Sequence, residues 1–518
     1  MVLMNMHIVF RTDASLTIGT GHIMRCLNLA EYLVGKGADV SFICREHEGH
    51  LCDLIEDHGF PVHRLPPPED GFAAESKPAH AAWLGAAWQE DSEQTIAVIR
   101  NSGAKPDWLV VDHYALDHRW ERTIRPYAER IFVIDDLADR THDCEILLDQ
   151  NLVADLHTRY REKVPKGCAF LLGPGYALLQ PFYADLHDRI PPREGPIRNI
   201  LISFGGGDND NLTGLALAAF IGLNRTDIEV NVVIPDSSPH NHIVRDLAAG
   251  FANIHLHGNL PTLAPLMVKA DLAIGAAGTT SWERLCLGLP ALVVTLAENQ
   301  RPIGDWLEHE RLARWLGHKD EVSEDAIRQA LCQLVKEELD QEWSLRCHRI
   351  VDGKGAERTS AVITITPEAP LTVRHARLSD ETLILAWAND PETRRNSFTP
   401  DPISADTHRH WFRNRLRNLE NCHFYIVENE EGIPVGQVRF EKEDQAWEMS
   451  YSLAPEYRKR GLGRPLIEAA LNAMHSESSD LVVFGKVKEN NLSSRKVFES
   501  LDFESHCNGD VVVFQRVF

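Results

Sequence analysis

The chain has 518 residues, of which 43% are hydrophobic and 25% charged, an ordinary composition for a globular protein that is too long for one hydrophobic core. Its formal net charge of −23 argues against nucleic acid as the main partner, although it leaves room for local basic pockets that bind phosphates. The longest apolar run, near residues 287–297, is too short to span a bilayer, and the N-terminus shows no basic start or cleavage site, so we expect a cytoplasmic protein without a membrane partner.

The chain opens with a strand, a glycine turn and a helix. Residues 7–10 are predicted to form a buried strand, and apolar residues recur at helical spacing from Ile23, so a helix should start near His22. Gly19 and Gly21 let the backbone approach a ligand, and the free N–H groups of a helix start bind anions. An imidazole at this place can take a proton from water beside a bound phosphate, while the alternative is that His22 only caps the helix.

Strands and helices then alternate as far as about residue 151, which predicts a parallel sheet with functional residues at the carboxyl ends of its strands. A proline-rich, charged segment at residues 189–196 is predicted to be a linker. A second unit of strand, glycine loop and helix follows it. We therefore expect two Rossmann-like domains, residues 1–193 and 194–365, with the ligand between them.

Two loops of the second domain have the chemistry of a nucleotide site. Gly278 and Thr279 follow a strand and open a helix, which is typical of a pyrophosphate-binding turn. Glu283 could accept hydrogen bonds from a ribose, or be a solvated carboxylate in the first turn of a helix. Asn299 and Gln300 offer amides to a sugar or phosphate, unless they only form a polar loop.

The pattern changes after residues 366–370, where a hairpin, a third strand, a helix and a further strand predict an α+β domain at residues 371–518. Its third strand feeds a basic, glycine-bearing loop whose N–H groups and arginines would bind a pyrophosphate. The predicted loop contacts are Leu453, Arg458, Arg460, Gly461, Leu462, Gly463 and Arg464. Glu448, on the strand before the loop, is a candidate base, with a salt-bridged strand carboxylate as the alternative.

Five motifs of the first two domains resemble one family when they are taken in order. They are Arg11-Thr12-Asp13, Ile18-Gly19-x-Gly21-His22-x-x-Arg25-Cys26-Leu27, Val111-Asp112-His113-Tyr114, Gly205-Gly206-x-Asp208 and Glu298-Asn299-Gln300. Together they resemble the UDP-sugar hydrolase of pseudaminic acid biosynthesis, an enzyme with the fold of GT-B glycosyltransferases. The resemblance implies release of UDP and free sugar from UDP-2,4-diacetamido-2,4,6-trideoxy-β-L-altropyranose.

The same resemblance implies roles for individual residues. His22 would activate water, Tyr114 would lie by the sugar, Glu283 would hold the ribose and Asn299 would contact the sugar or diphosphate. Asp13, on the turn before His22, is a further candidate catalytic residue. The other candidate substrate contacts are Gly19, Gly21, Arg25, Gly205, Gly206, Asp208, Gly278, Thr279 and Gln300. Acidic residues lack metal-ligand spacing and the ten cysteines form no C-x-x-C pair, so we expect no metal.

The last domain resembles the GNAT acetyltransferases over about residues 371–516. Its acetyl-CoA signature is Arg458-x-x-Gly461-x-Gly463, and a closing motif contains Asn491, Ser494 and Phe498. A front motif with Asn389, a predicted substrate contact, resembles the enzymes that acetylate ribosomal proteins or nucleotide-linked amino sugars. Phe498 stands where this family usually has the tyrosine that protonates the CoA thiolate, and Asp502 stands where glycine is usual.

These resemblances predict an α/β chain of two Rossmann-like domains in a GT-B arrangement, followed by an α+β GNAT acetyltransferase domain. They predict a bifunctional enzyme that uses acetyl-CoA to acetylate the 4-amino group of a UDP-sugar and then removes UDP. One alternative is a GT-B glycosyltransferase fused to an acetyltransferase. Another is a regulator that binds a nucleotide sugar and carries a protein acetyltransferase.

Overall fold

The computed structural model describes residues 6–69, 72, 75–205, 208–236, 238–477 and 481–518. The chain divides into two compact units, the first ending at Ser360 and the second beginning at Ala361. In the described part of the chain, no helix combines the length and apolar character that crossing a membrane requires.

The first unit begins with a seven-stranded parallel sheet in the order β3-β2-β1-β4-β5-β6-β7. Its strands are β1 (His7–Thr12), β2 (Asp39–Arg45), β3 (Val62–Leu65), β4 (Trp108–Asp112), β5 (Arg130–Ile134), β6 (Ile146–Asp149) and β7 (Ala169–Leu172). The connecting helices are α1 (Gly21–Gly35), α2 (Cys52–Asp57), α3 (Trp88–Asn101), α4 (His118–Ile124) and α5 (Phe182–His187). Strand order reverses between β1 and β4, the place where ligands bind in such sheets.

A second parallel sheet of six strands follows, in the order β10-β9-β8-β11-β12-β13. Its strands are β8 (Asn199–Ser203), β9 (Glu229–Val233), β10 (Ile254–His257), β11 (Leu272–Ala276), β12 (Ala291–Thr295) and β13 (Arg314–His318). Its helices are α6 (Leu212–Ile221), α7 (Asn241–Ala248), α8 (Ala264–Lys269), α9 (Thr280–Cys286), α10 (Arg301–His309), α11 (Glu324–Glu337), α12 (Gln341–His348) and α13 (Gly355–Thr364). The Arg358 side chain at the start of α13 donates to the Gly175 carbonyl at 2.7 Å. The last helix of this unit therefore contacts the segment that follows β7, the last strand of the first sheet.

The second unit is built on a mixed sheet of seven strands in the order β14-β15-β16-β17-β18-β20-β19. Its strands are β14 (Thr372–His375), β15 (Cys422–Glu428), β16 (Pro434–Glu443), β17 (Ala446–Leu453), β18 (Val482–Lys488), β19 (Glu504–Asn508) and β20 (Val511–Val517). Its helices are α14 (Glu381–Asn389), α15 (Pro391–Asn396), α16 (Ala405–Arg417), α17 (Gly463–Glu477) and α18 (Leu492–Ser500).

Strands β17 and β18 form the one parallel pair of this sheet, and they separate part of the way along their length. Their paired residues are Trp447 with Val483 and Glu448 with Phe484. Beyond Glu448 the two strands diverge, and the opening between them forms part of a cavity.

Candidate functional site

The imidazole of His22 is held by the carboxylate of Asp112. Asp112 ends β4, and the register pairs it with Thr12 at the end of β1, so α1 begins beside it. The Nδ1 atom of His22 lies 2.6 Å from Asp112 Oδ1. In a neutral ring the carboxylate therefore accepts from Nδ1–H, which leaves the lone pair of Nε2 to take a proton. The imidazole thus has the arrangement of a general base.

Arg25 lies one turn further along α1 and completes the support of Asp112. Its Nε and Nη2 atoms donate to the two Asp112 oxygens at 2.6 Å each, and Nη1 donates to Asp136 at 2.8 Å. Burial alone would raise the pKa of Asp112, but Arg25 and His22 hold it well below the ordinary value. The Arg25 guanidinium is thus bound to two carboxylates, and its contact with substrate stays a prediction.

Tyr114 lies edge-on to His22, with ring centroids 4.5 Å apart. Its hydroxyl donates to Asp136, which also accepts from Arg25. Burial and the neighbouring carboxylate raise the pKa of Tyr114 well above its usual value, so the group stays a phenol. His22, Asp112, Arg25, Asp136 and Tyr114 thus form one continuous network.

Asp13 is buried among other charged side chains. Its carboxylate accepts from Arg11 at 2.6 Å and from the Arg45 amide at 2.7 Å, and it lies 3.2 Å from His113 Nε2. A catalytic role for Asp13 stays a prediction. Gly19 precedes the helix with a φ of +79°, a conformation that favours glycine, and its amide closes a turn to the Ser15 carbonyl at 2.9 Å.

In the second sheet's region, Glu283 lies in the first turn of α9. Burial raises its pKa to about 7, and Tyr183 and Arg284 oppose that rise. Gly278 lies beside Gln300, since a methyl group added at Gly278 would come within 3.5 Å of Gln300 Nε2. Thr279 directly precedes α9. Glu283 is therefore poised between its neutral and charged forms near neutral pH.

The turn after β12 carries the two predicted amides. Asn299 lies in a short 3-10 turn, Glu298–Gln300. The Gln300 Oε1 atom accepts from the Leu296 amide at 2.8 Å, so this side chain braces its own loop. The Nε2 group of Gln300, which can donate hydrogen bonds, lies near Gly278.

Asp208 is a helix cap in the structure. Its two oxygens accept from the Leu212 amide at 2.8 Å and the Thr213 amide at 3.0 Å, at the start of α6. These are N–H groups that a bound phosphate could use, and the substrate contact of Asp208 stays a prediction. Gly205 precedes it with a φ of +91°, and Gly206 lies outside the described residues.

The second unit contains a cavity of about 890 Å³ between the diverging strands and the surrounding helices. Most of the predicted residues line it: Glu448, Leu453, Arg458, Gly461, Leu462, Gly463, Arg464, Asn491 and Ser494. The described lining also includes eight cationic side chains, Arg394, Arg439, Arg458, Lys459, Arg464, Lys486, Lys488 and Lys496, against two carboxylates, Glu392 and Glu448. In a chain with a net charge of −23, such a positive cavity suits a ligand with several phosphates.

The loop before α17 approaches its surroundings closely. Gly461 has a φ of +79°, and a Cβ there would meet Pro367 at 2.9 Å. A Cβ at Gly463 would meet Val497 Cγ2 on α18 at 2.8 Å. Since the first amides of a helix have no partner within it, the start of α17 can donate to an anion.

Two residues of the second unit that are predicted to contact a ligand have hydrogen-bond partners within the protein. The Arg460 guanidinium donates to the carbonyls of Ile363 at 3.0 Å and Ile365 at 3.2 Å. The Asn389 amide exchanges two hydrogen bonds of 2.8 Å with the Ile403 backbone. The predicted contacts of both residues with ligand stay predictions.

Arg458 and Glu448 both line the cavity but have partners. Arg458 pairs with Asp390 at 2.5 Å and donates to Thr393 at 2.8 Å. The Glu448 carboxylate lies 3.4 Å from Lys486 Nζ. Glu448 is thus both salt-bridged and accessible from the cavity.

The sequence alone does not predict the partners of His22 in this network. Asp112 belongs to one of the motifs quoted in the sequence analysis, and Asp136 follows strand β5 with nothing in the sequence to link it to His22. The one available signal was that both follow strands of the same parallel sheet, whose carboxyl ends share an edge. Among the described residues, no group of three or more histidine, cysteine, aspartate or glutamate side chains is placed to hold a metal ion.

Comparison with known proteins identifies the second unit. Residues 370–504 match the family model "Acetyltransferase (GNAT) domain", so the chain carries a GNAT domain at its C-terminal end. The region before it is similar to the UDP-2,4-diacetamido-2,4,6-trideoxy-beta-L-altropyranose hydrolase of Campylobacter jejuni, with 29% identity over 304 residues, 58% of this chain and 96% of the hydrolase. The two resemblances inferred from the motifs are confirmed.

A further relative aligns with both units. It is an uncharacterized protein of Methanocaldococcus jannaschii, 23% identical over 521 residues, which are 97% of this chain and 98% of the relative. Among solved structures, MurG of Acinetobacter baumannii is 15% identical and covers 69% of this chain and 99% of its own, with a TM-score of 0.48. The two parallel sheets in one unit and the GNAT domain in the other confirm the predicted fold class.

Proposed function

From a GNAT domain that follows a region similar to a UDP-sugar hydrolase, we propose that the chain is a bifunctional enzyme of pseudaminic acid biosynthesis. The GNAT domain transfers the acetyl group of acetyl-CoA to UDP-4-amino-4,6-dideoxy-β-L-AltNAc. The first unit then hydrolyses UDP-2,4-diacetamido-2,4,6-trideoxy-β-L-altropyranose to UDP and the free sugar. The product of one reaction is the substrate of the other, so the fusion is chemically coherent.

The observation that carries the hydrolase assignment is the hydrogen bond between His22 Nδ1 and Asp112. With Nδ1 fixed, Nε2 takes a proton from water, and Asp112 stabilises the imidazolium that forms. Arg25 keeps Asp112 charged and oriented. The hydroxide attacks C1 of the sugar, and the electron pair of the C1–O bond leaves on the β-phosphate oxygen of UDP. A positioned base of this kind is worth about 10²–10⁴ in rate.

The second-sheet residues hold the nucleotide in this proposal. Glu283 accepts from the ribose hydroxyls, while Gly278, Thr279, Asn299 and Gln300 surround the diphosphate and the sugar. Tyr114 contacts the sugar beside His22. Water is the acceptor, and this distinguishes the proposal from a glycosyltransferase, which needs a second sugar or aglycone before it releases UDP.

The acetyltransferase assignment is supported by the positive cavity and its loop. In this proposal the start of α17 and Arg458 bind the pyrophosphate of acetyl-CoA. Asn491, which caps α18, and Ser494 on α18 line the same cavity. Glu448 takes a proton from the incoming amine, directly or through water, and Lys486 lies 3.4 Å from its carboxylate.

The bond that breaks in the hydrolysis is open to a direct test. With His22 as the base for attack at C1, hydrolysis in ¹⁸O-water puts the label on the C1 hydroxyl of the sugar, and the anomer is inverted. Mass spectrometry of UDP shows whether it carries the label, and NMR of the sugar shows the labelled position and the anomer. Both are recorded before the anomeric oxygen exchanges with solvent. Label in UDP would mean attack at phosphorus and would rule out this placement of His22. A UDP release that depends on an added acceptor would favour the glycosyltransferase instead.

A further inference from the structure

Tyr451 is the one tyrosine among the described residues that line the cavity of the second unit. It lies on β17 three residues beyond Glu448, the last residue of that strand paired with β18, and so borders the opening between the two strands. Its hydroxyl donates to Ser494 Oγ on α18 at 3.1 Å. The side chain therefore presents a proton-bearing oxygen at the place where the two strands part.

Phe498 cannot supply a proton to a ligand in the cavity. Its ring has no hydroxyl, is 2% exposed and stacks on Phe514 with centroids 5.0 Å apart. The Cζ end of the ring faces Gly485 on β18 closely enough to exclude a Cβ there. A hydroxyl at that end would press on the β18 backbone, so the Phe498 side chain belongs to the core of the sheet.

Acetyl transfer from a thioester nevertheless ends with a proton on sulfur. The amine nitrogen forms a bond to the carbonyl carbon, and the carbonyl then re-forms as the C–S bond breaks. The electron pair of that bond leaves on sulfur, which takes a proton to become a thiol. One proton lost by the amine nitrogen balances the one gained by sulfur. A thiol has a pKa of about 8.5, so a nearby donor helps the departure without being essential to it.

We propose that Tyr451 is the catalytic group that donates its phenolic proton to the departing CoA sulfur. The Ser494 hydroxyl donates a hydrogen bond to the phenolate that forms, until solvent returns to it the proton that the amine lost. The inference rests on the acetyl-transfer function proposed above. A hydroxyl rotates freely, so Ser494 can donate to Tyr451 while Tyr451 donates to sulfur. Burial raises the pKa of Tyr451 to about 12, so the phenol keeps its proton at neutral pH. The centroids of the Tyr451 and Phe498 rings lie 6.1 Å apart, edge to face. The hydroxyl-bearing ring of Tyr451 is therefore next to Phe498, which has no hydroxyl.

The test compares Tyr451→Phe with Tyr425→Phe in the full-length protein. Tyr425→Phe is the matched control, because it also deletes one hydroxyl from a β-strand of the same sheet, and Tyr425 is buried outside the cavity lining. Release of CoA thiol is followed with a thiol reagent, using the UDP-amino sugar and, separately, hydroxylamine as acceptors. Acetyl-CoA affinity is measured by calorimetry.

We expect Tyr451→Phe to lower kcat by about 10²-fold with either acceptor, the low end for loss of a general acid, and to leave acetyl-CoA affinity within about twofold. Ser494→Ala should give a smaller loss of kcat. The Tyr425→Phe protein should keep the kcat of the unaltered protein. A Tyr451→Phe protein that retains full kcat would overturn the role of Tyr451, as would a loss confined to acetyl-CoA affinity. Acetylation of hydroxylamine but not of the sugar would overturn the proposed acceptor, and the comparison of variants would still decide the role of Tyr451.

Discussion

The side chains around His22 derive their function from contacts between distant parts of the chain. His22 and Asp112 are 90 positions apart, and Arg25 and Asp136 are 111 apart. The glycine turn and the helix periodicity were enough to find His22, because these are local features. The partners that orient it depend on which strands are neighbours in the sheet, and local spacing does not contain that information.

The same limit applies to four predicted ligand contacts whose side chains have partners within the protein. Arg25 lies in α1, Asn389 ends α14, and Asp208 and Arg460 lie in loops. Each residue type is compatible with a ligand contact, but each side chain hydrogen-bonds within the protein, to a carboxylate, to the amides of a helix start or to a backbone carbonyl. A buried polar group needs such a partner, and a sequence does not show whether the partner is protein or ligand.

Glu283 gives a pH-dependent prediction for nucleotide binding. Its pKa is raised to about 7, so the carboxylate form is present above that pH and is lost as the pH falls below it. A carboxylate that accepts from ribose hydroxyls should make UDP bind about tenfold more tightly at pH 8 than at pH 6, since about a tenth of the groups are charged at the lower pH. Calorimetric titration with UDP at both values measures this.

The control for that measurement is Glu283→Gln. It keeps the shape of the side chain and removes its titration, so whatever pH dependence remains belongs to UDP and to other groups. An equally steep dependence in the glutamine variant would show that Glu283 does not hold the ribose in its charged form.

Most strands were predictable because they are short apolar runs, whereas only a few of the helices were predicted. The predicted helix start near His22 agrees with α1, and the helix predicted after the basic glycine loop corresponds to α17, Gly463–Glu477. Strands β3, β7, β13 and β14 and the hairpin of β19 and β20 were not predicted. The β19 strand is exposed along its whole length, so it lacks the alternation of apolar and polar residues that marks a half-buried strand.

The capping of α6 by Asp208 yields a prediction for one helix. Replacing Asp208 with alanine leaves the Leu212 and Thr213 amides without their acceptor, which typically costs about 1 kcal/mol of stability. Thermal or urea unfolding should detect this loss, while the affinity for UDP stays the same or rises as the amides become free. Asp227→Ala is a suitable control, since Asp227 pairs with exposed Arg225. A large loss of UDP affinity with unchanged stability would support the predicted substrate contact.

The second compact unit of the molecule begins at Ala361, and the domain predicted at residues 371–518 lies within it. Arg460 connects the residues before 371 to that unit, because it donates to the carbonyls of Ile363 and Ile365, both buried. The end of α13 therefore belongs to the acetyltransferase unit. The boundary between residues 193 and 194 stays a prediction.

The proposed function requires that one chain acetylates a UDP-amino sugar and then removes UDP from the product. The most direct measurement is to incubate the full-length protein with UDP-4-amino-4,6-dideoxy-β-L-AltNAc, with and without acetyl-CoA, and to follow all species by NMR. In parallel, His22→Ala removes the base, and His255→Ala, from an exposed pair with Glu229 at 2.6 Å, is the control. We predict that UDP appears only after acetylation, that His22→Ala accumulates the acetylated UDP-sugar with UDP release slowed by about 10²-fold or more, and that His255→Ala behaves like the unaltered protein. Acetylation without any release of UDP, or equal release from the His22→Ala variant, would contradict the account.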